Sequence, residues 1–288
     1  MTLPDGFHFT QGKLQDYLEC KRRFQLRYLI KLAWPALLAE PYLENERLTL
    51  LGNRFHQIVH QHLLGMPEDR ITQQIEDPDL QRWWKNYLQY IPDFVDLPKP
   101  GAPEQKLDTQ IFPEVLLSSP IDTYRLTGKY DLISIQSDQS VTIFDWKTSL
   151  HPPKQEFFAQ RLQTRLYPFL LIKASKQINP DHVFQPHHLR MIYWFTNFPD
   201  TPLIYTYSQE EYLSSEQFFK NLIAEIHTRS EVDFHLTNDV KKCLYCVYRS
   251  LCNRGTRAGD VSDLISDSDM EEEPEISLDF DQIAEVIF

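Results

Sequence analysis

The stretch RLTGKYDLISIQSDQSVTIFDWKTS, residues 125–149, decides the fold. Its two runs 126–135 and 141–148 are rich in Ile, Val, Thr and aromatics, and the segment between them is polar. That pattern predicts a β-hairpin. Side chains alternate along a strand, so Asp145 and Lys147 share a face and Trp146 points the other way. A turn centred on Asp138 sets Asp131 across from Asp145. Two carboxylates with an ammonium two residues on form a metal-binding, charge-stabilising cluster. Magnesium and manganese take hard oxygen ligands of this kind. Lys147 would orient or deprotonate a water, or neutralise charge developing on a phosphate. His56, upstream, would add an imidazole, which suits manganese or iron better than magnesium. The spacing D…DxK is common, and ordinary surface charges on a hairpin produce it too.

Around the hairpin lies a chain of 288 residues, 42% hydrophobic and 13% aromatic, enough for a real core in one large domain or two small ones. The first ten residues lack the basic start and apolar run of a signal peptide. No segment has the roughly 18 uninterrupted apolar residues of a membrane span. The expectation is a cytoplasmic protein without a membrane partner. A net charge of −12 argues at first against nucleic acid. From Asp260 onward, however, there are eleven acidic residues and no basic one. Without that tail, 29 basic residues stand against 30 acidic, so the body is nearly neutral. The sequence is therefore read as a body, 1–259, and an acidic tail, 260–288, of disordered composition.

Within the body, 10–32 reads as a helix and 44–64 as a second, closed by Gly65. A short helix at 80–90 precedes a Pro-rich connector at 92–103. A strand at 106–117 feeds the hairpin. One helix at 156–175, strands at 188–196 and 203–207, and a helix at 211–228 opened by a Ser208–Glu211 capping box complete the core. This order gives an α/β or α+β pattern with a mixed central sheet. His60 stands four residues after His56, but without the glutamate of H-E-x-x-H its reading is solvation or packing.

The four cysteines are Cys20, Cys243, Cys246 and Cys252, one alone and three spaced C-x2-C-x5-C. A cytosolic chain favours a metal site over disulfides. Zinc and an iron–sulfur cluster both take four thiolates, and the spacing alone does not choose between them. The site would join the first helix to the C-terminal segment and close a long chain loop. Basic residues and Tyr245 and Tyr248 interleave with these cysteines, a pattern for a nucleic-acid-facing patch or for compensating the thiolates' charge.

The order of Glu104, Gly128-Lys129-Tyr130-Asp131, Asp145-Trp146-Lys147, Gln163 and Tyr167 resembles the PD-(D/E)XK nuclease superfamily. The likeness is to its RecB/AddB-type and CRISPR-adaptation-exonuclease branch: G-x-x-D, then D-x-K, then Q-x-x-x-Y, with a histidine on an upstream helix as at Gly52-Asn-Arg-Phe-His56. It spans roughly residues 10–255. It implies a restriction-endonuclease-like α/β core. His56, Asp131 and Asp145 would bind Mg2+ or Mn2+ with the Trp146 carbonyl, and Lys147 would be the catalytic lysine. Gln163 and Tyr167 would support the site or the DNA backbone. Tyr167 has core packing as its rival reading, and Glu104 is a weak match, too far from Asp131. The branch's iron–sulfur members carry one early cysteine and a late triplet. The resemblance thus implies a 4Fe–4S cluster on Cys20, Cys243, Cys246 and Cys252 in preference to zinc.

The expected function is a metal-dependent DNA nuclease, an exonuclease on single strands or free ends, in repair, recombination or defence. The rival from another class is a non-catalytic iron–sulfur DNA-binding or adaptor subunit of a helicase–nuclease or CRISPR adaptation complex. A redox protein built on the cysteines would leave the hairpin charges unexplained. No phosphate-binding G-x-x-x-x-G-K-[ST] motif occurs, so unwinding would need a helicase partner. The tail, which alternates acids with Ile, Leu, Val and Phe after residue 275, reads as a solvated tail, a partner-docking segment or an occupant of the DNA channel.

Overall fold

The structure, a computed structural model, describes residues 3–4, 6–33, 42–93, 109–244 and 246–255. The Pro-rich connector beyond residue 93, Glu104, Tyr245 and the acidic tail lie outside the described residues. The chain divides into two compact units. One takes in the described residues of Met1–Gln11 and Leu50–Phe234, the other those of Gly12–Thr49 and His235–Phe288.

The first unit is built on a six-stranded mixed sheet. Its strands are β1 (His8–Phe9), β2 (Thr109–Ile121), β3 (Tyr124–Gln136), β4 (Val141–Lys147), β5 (Leu189–Phe195) and β6 (Leu203–Thr206). Along the sheet the order is β1, β3, β4, β5, β6, with β2 on the other edge of β3. The predicted hairpin is β3–β4. Its ladder pairs Ile135 with Val141 and continues to Leu132 with Phe144, the register of a turn centred on Asp138. Within that turn Gln139 takes a left-handed φ of 67°, and the Ser140 N–H donates to the Asp138 carboxylate. β4 and β5 are parallel, so the chain between them must cross over the sheet. Pro113 and Pro120 fall on β2, an outer strand where a missing N–H is tolerated.

Helices cover both faces. On one face lie α3 (Tyr42–Leu63) and α5 (Pro78–Tyr90). Phe55, Ile58 and Val59 of α3 pack with Trp83, Trp84 and Tyr87 of α5 onto Leu132, Phe144, Trp146, Ile192 and Trp194 of the sheet. α3 ends where expected: Gly65 has a φ of +92°, and its N–H donates to the His62 carbonyl. α5 starts at Asp77, whose carboxylate accepts from the N–H groups of Asp79 and Leu80. The short α4 (Glu68–Thr72) was not anticipated from sequence. On the opposite face lie α7 (Leu162–Lys173) and α8 (Gln209–Thr228), which meet through Phe169 and Phe219, rings 5.4 Å apart. The Ser208–Glu211 capping box opens α8 as predicted. The architecture is α/β with a mixed sheet flanked by helices, as a restriction-endonuclease-like core requires.

Two expected helices are each broken. The segment 156–175 forms α6 (Gln155–Gln160) and α7, parted by an extended Arg161. In a continuous helix the Phe158 carbonyl would accept from Leu162. Here it accepts from the Arg161 N–H and the Thr164 hydroxyl instead.

The second unit holds the other interrupted helix. The segment 10–32 splits at Cys20, whose backbone is extended, into α1 (Gln11–Glu19), α2 (Lys21–Phe24) and a π-helical turn, Gln25–Leu29. The Arg22 N–H donates to the His235 carbonyl, and the Tyr248 hydroxyl to the Leu32 carbonyl. These bonds tie the early segment to the late one. A buried Asp16 gathers Arg23 at 2.7 Å, Arg27 at 2.9 Å and the Tyr28 hydroxyl at 2.9 Å.

Candidate active site

The site forms where β3 and β4 part. The last ladder pair is Leu132 with Phe144. One position further on, the Asp131 carboxylate intervenes: its Oδ2 accepts from the Trp146 N–H at 2.8 Å. A side chain thus replaces the next backbone bond. In an extended residue the carbonyl points to the same edge as the N–H, so the Trp146 carbonyl turns towards Asp131 as well.

β3 also changes face at this point. Gly128 and Tyr130 lie against α7: the Tyr130 hydroxyl donates to the Tyr167 carbonyl, and the two rings are 4.7 Å apart. Leu132, two residues on, belongs to the opposite core with Phe55 and Trp83. Regular alternation would have kept them together. Glu114, flanked by the β2–β3 pairs Pro113–Leu132 and Val115–Tyr130, is the ladder neighbour of Asp131 and has a left-handed φ of 49°. The irregularity lets Asp131 reach α3, where its Oδ1 lies 3.1 Å from His56 Nδ1.

Asp145 and Lys147 share the α7 side of β4, and Trp146 faces the other core, as alternation predicts. Lys147 Nζ lies 2.9 Å from Asp145 Oδ2 and donates to Gln163 Oε1 at 3.0 Å. The Gln163 amide closes the triangle by donating to Asp145 Oδ1. The lysine also stands over the Tyr193 ring, 5.6 Å from its centroid. Asp145, Lys147 and Gln163 are each less than a tenth exposed, so their charges act in a medium of low polarizability.

Two glycines bring the helices close enough. A Cβ on Gly128 would stand 3.1 Å from Leu170 Cδ2 and 3.6 Å from the Tyr167 ring. A Cβ on Gly52 would stand 3.1 Å from Thr148 Oγ1, where α3 meets the chain just past β4. Tyr167 is buried against Gly128 and Tyr130, where it positions α7.

The electrostatics bind these residues into one system. Burial alone would lower His56, but the Asp131 carboxylate outweighs it and Asp145 adds to the effect, so the imidazole titrates above its ordinary value. Burial alone would raise Asp131. His56, the Trp146 N–H and Lys147 outweigh it and hold the carboxyl below its ordinary value.

The structure thus brings together His56, Asp131, Asp145, Lys147 and Gln163. Sequence reasoning passed over Tyr193 and Glu114. Glu114 Oε2 lies 3.3 Å from His60 and 3.1 Å from Lys129, so His60 is neither simply solvated nor packed. The i, i+4 relation of His56 and His60 was the only hint of that second contact.

Among the described residues, no three His, Cys, Asp or Glu side chains are arranged to hold a metal ion. The carboxylates face Lys147, Gln163, His56 and Trp146 instead. The donor set of buried carboxylate oxygens with an adjacent imidazole still fits a hard divalent cation. In the second unit the cysteine thiols sense one another. Burial raises Cys243, Cys246 and Cys252, and charge on the neighbouring thiols raises each further, while Arg22, Arg23, Arg27 and Arg254 work the other way.

No curated protein matches the chain in sequence. Among solved structures, SSO0001 matches at 14% identity over 87% of both chains with a TM-score of 0.42. A protein of Eubacterium rectale provisionally named an exonuclease matches at 10% identity over 76% of this chain and 79% of its own, with a TM-score of 0.44. Likeness at that level carries no argument. The family comparison does: the model of the PD-(D/E)XK nuclease superfamily matches residues 8–253, a span that includes the split hairpin, both of its supporting helices and the cysteines. Because that match covers most of the chain, the chain belongs to the PD-(D/E)XK nuclease superfamily.

Proposed function

We propose that the protein is a metal-dependent deoxyribonuclease, acting as an exonuclease on single-stranded DNA or free ends, with residues 1–259 as its nuclease domain. One observation carries the reading: Lys147, Asp145 and Gln163 form a closed buried triangle beside the Asp131–His56 pair. A hairpin with ordinary surface charges would leave such groups in water.

Asp131, Asp145 and His56, with the Trp146 carbonyl, are the residues that would hold Mg2+ or Mn2+. Bound there, the cation supplies charge neutralisation at the scissile phosphate and lowers the pKa of the attacking water. Lys147, held between Asp145 and Gln163, is positioned to orient the nucleophile or to offset charge on the phosphate. Gln163 acts through Lys147 and Asp145, and Tyr167 acts through α7. Both are positioning residues. The decisive test incubates purified protein with single-stranded, duplex and end-blocked DNA in Mg2+ or Mn2+, beside Lys147→Ala and Asp145→Ala. Cleavage by the parent and none by the variants supports the reading. Binding without cleavage by the parent would transfer it to a non-catalytic adaptor.

We further assign Cys20, Cys243, Cys246 and Cys252 to a 4Fe–4S cluster. Support comes from the mutual field of the thiols and from the arginines beside them, which suit an anionic thiolate cluster better than neutral thiols. The role is structural, since its ligands come from both chain segments of the second unit. Brown colour lost on Cys246→Ala supports it, and a colourless zinc-loaded preparation made without oxygen overturns it. The setting is cytoplasmic DNA metabolism with a separate helicase partner. Among the described residues no helix is long and apolar enough to cross a membrane.

A further inference from the structure

Arg161 occupies the extended break between α6 and α7. Its guanidinium lies 4.6 Å from the ring centroid of Phe158 and 5.1 Å from that of Phe157. Those two ring faces hold it, and among the described residues no hydrogen bond does. Its Nη1 is shut off from solvent, yet no acceptor reaches it among the described residues. No carboxylate pairs with it there either. Other arginines differ: Arg165 donates to Ser214, Arg190 to Thr142, and Arg82 pairs with Asp79. A buried guanidinium nitrogen without an acceptor is costly unless an anion completes it.

Two further features say what kind of anion. First, Arg161 lies two residues before Gln163, whose amide contacts both Lys147 and Asp145. A group bound at the triangle is therefore close in the chain to the unpaired arginine. Second, Arg161 is the N-cap residue of α7, and the first turn of that helix has neither an acidic residue nor a side-chain cap. The Thr164 hydroxyl, a candidate acceptor there, is engaged with the Phe158 carbonyl and the Tyr193 hydroxyl. A cation at a helix start is misplaced against the backbone dipoles unless it helps to hold an anion. The planar fork of a guanidinium matches the paired oxygens of a phosphodiester.

Building on the nuclease reading above, we propose that Arg161 is a positioning residue that grips a backbone phosphodiester of the bound DNA strand, next to the phosphate facing Lys147. In the free protein the guanidinium is stored against Phe157 and Phe158. On binding it turns towards the strand, and the rings keep its aliphatic stem in place. Register on the strand is then set by the same short segment that orients the lysine.

The test compares parent, Arg161→Met, Arg161→Lys and the charge-matched control Arg82→Ala. Affinity for labelled single-stranded and duplex oligonucleotides is read by fluorescence anisotropy with Ca2+ in place of Mg2+, over a range of salt. Arg161→Met keeps the stem on the rings and loses the charge. It should bind about tenfold more weakly and flatten the plot of log affinity against log salt by about one ion released. Arg161→Lys should recover the salt slope and only part of the affinity. In Mg2+, Arg161→Met should raise KM while kcat at saturation stays within about threefold. Equal affinity and slope in parent and Arg161→Met overturn the proposal, as does a fall in kcat at unchanged affinity. If Arg161→Met does not fold, the slope and affinity of Arg161→Lys decide on their own. DNA binding that depends on Arg161 without any cleavage keeps this proposal and overturns the nuclease reading. A parent that binds no DNA overturns both.

Discussion

Two regions of this molecule gather side chains of metal-ligating type, and they solve the problem of charge in opposite ways. In the first unit, each acid has a base: Asp145 has Lys147, and Asp131 has His56. The cluster is electrostatically closed, and an incoming cation must compete with partners already present. In the second unit, burial and the charge of neighbouring thiols make ionisation of Cys243, Cys246 and Cys252 harder. Arginines soften that conflict without removing it. The first region is therefore stable as it stands. The second, on the reading proposed above, is completed by a bound group.

The sharpest way to break this comparison is at Lys147. Lys147→Ala should lower DNA cleavage by about a thousandfold, within the range for a lost general acid–base or charge-stabilising group. Its circular dichroism should be unchanged, because Gln163 still bonds Asp145. The next largest effect is expected in the other region. Cys246→Ser should cost about 3 kcal/mol or more of stability and abolish metal content, measured by calorimetry and elemental analysis. If that variant melts with the parent, the second unit does not depend on a bound group.

The His56–Asp131 pair gives a subtler test. The His56 pKa is raised on folding, so its contribution is full below the ordinary histidine value of 6.5 and fades as pH rises through the folded one. Asp131 is depressed, so its contribution is full above 3.8 and fades as pH falls through its folded value. The pair therefore stabilises most between about 3.8 and 6.5. Asp131→Asn should lower the His56 pKa, seen by proton NMR, because the carboxylate that outweighs burial is lost. Glu114→Gly should show the smallest change. It relieves a left-handed backbone worth about 1 kcal/mol but loses contacts to His60 and Lys129, so urea denaturation should move by less than that amount either way.

Much of the first region was legible in the sequence, for identifiable reasons. The hairpin register follows from two apolar runs and a short polar turn, which leave little freedom in pairing. Gln163 and Tyr167 come from the resemblance, whose Q-x-x-x-Y pattern sets them one helical turn apart. What escaped notice depends on contacts between distant segments. The Cys20 break is tied to a bond from Arg22 to His235, more than 200 residues away in sequence. The Arg161 break follows from the Thr164 hydroxyl capturing a carbonyl six residues earlier, in α6, and threonine in a helix gives no such signal by itself. Glu114 sits in an unremarkable strand, and only the change of face opposite it gives it meaning.

That change of face has a consequence for how the chain tolerates change in length. Residues of β3 before Asp131 are keyed to α7 through Gly128 and Tyr130, and those after it to the α3–α5 core through Leu132. Deleting one residue between Tyr130 and Leu132 would put the two halves out of step: with Leu132 onwards kept in register with β4, Gly128 and Tyr130 would turn away from α7. Asp131 is thus a joint between two independently indexed half-strands, and a family of such proteins would be expected to vary in length outside β3, in loops such as the one joining β5 to β6, and not within it.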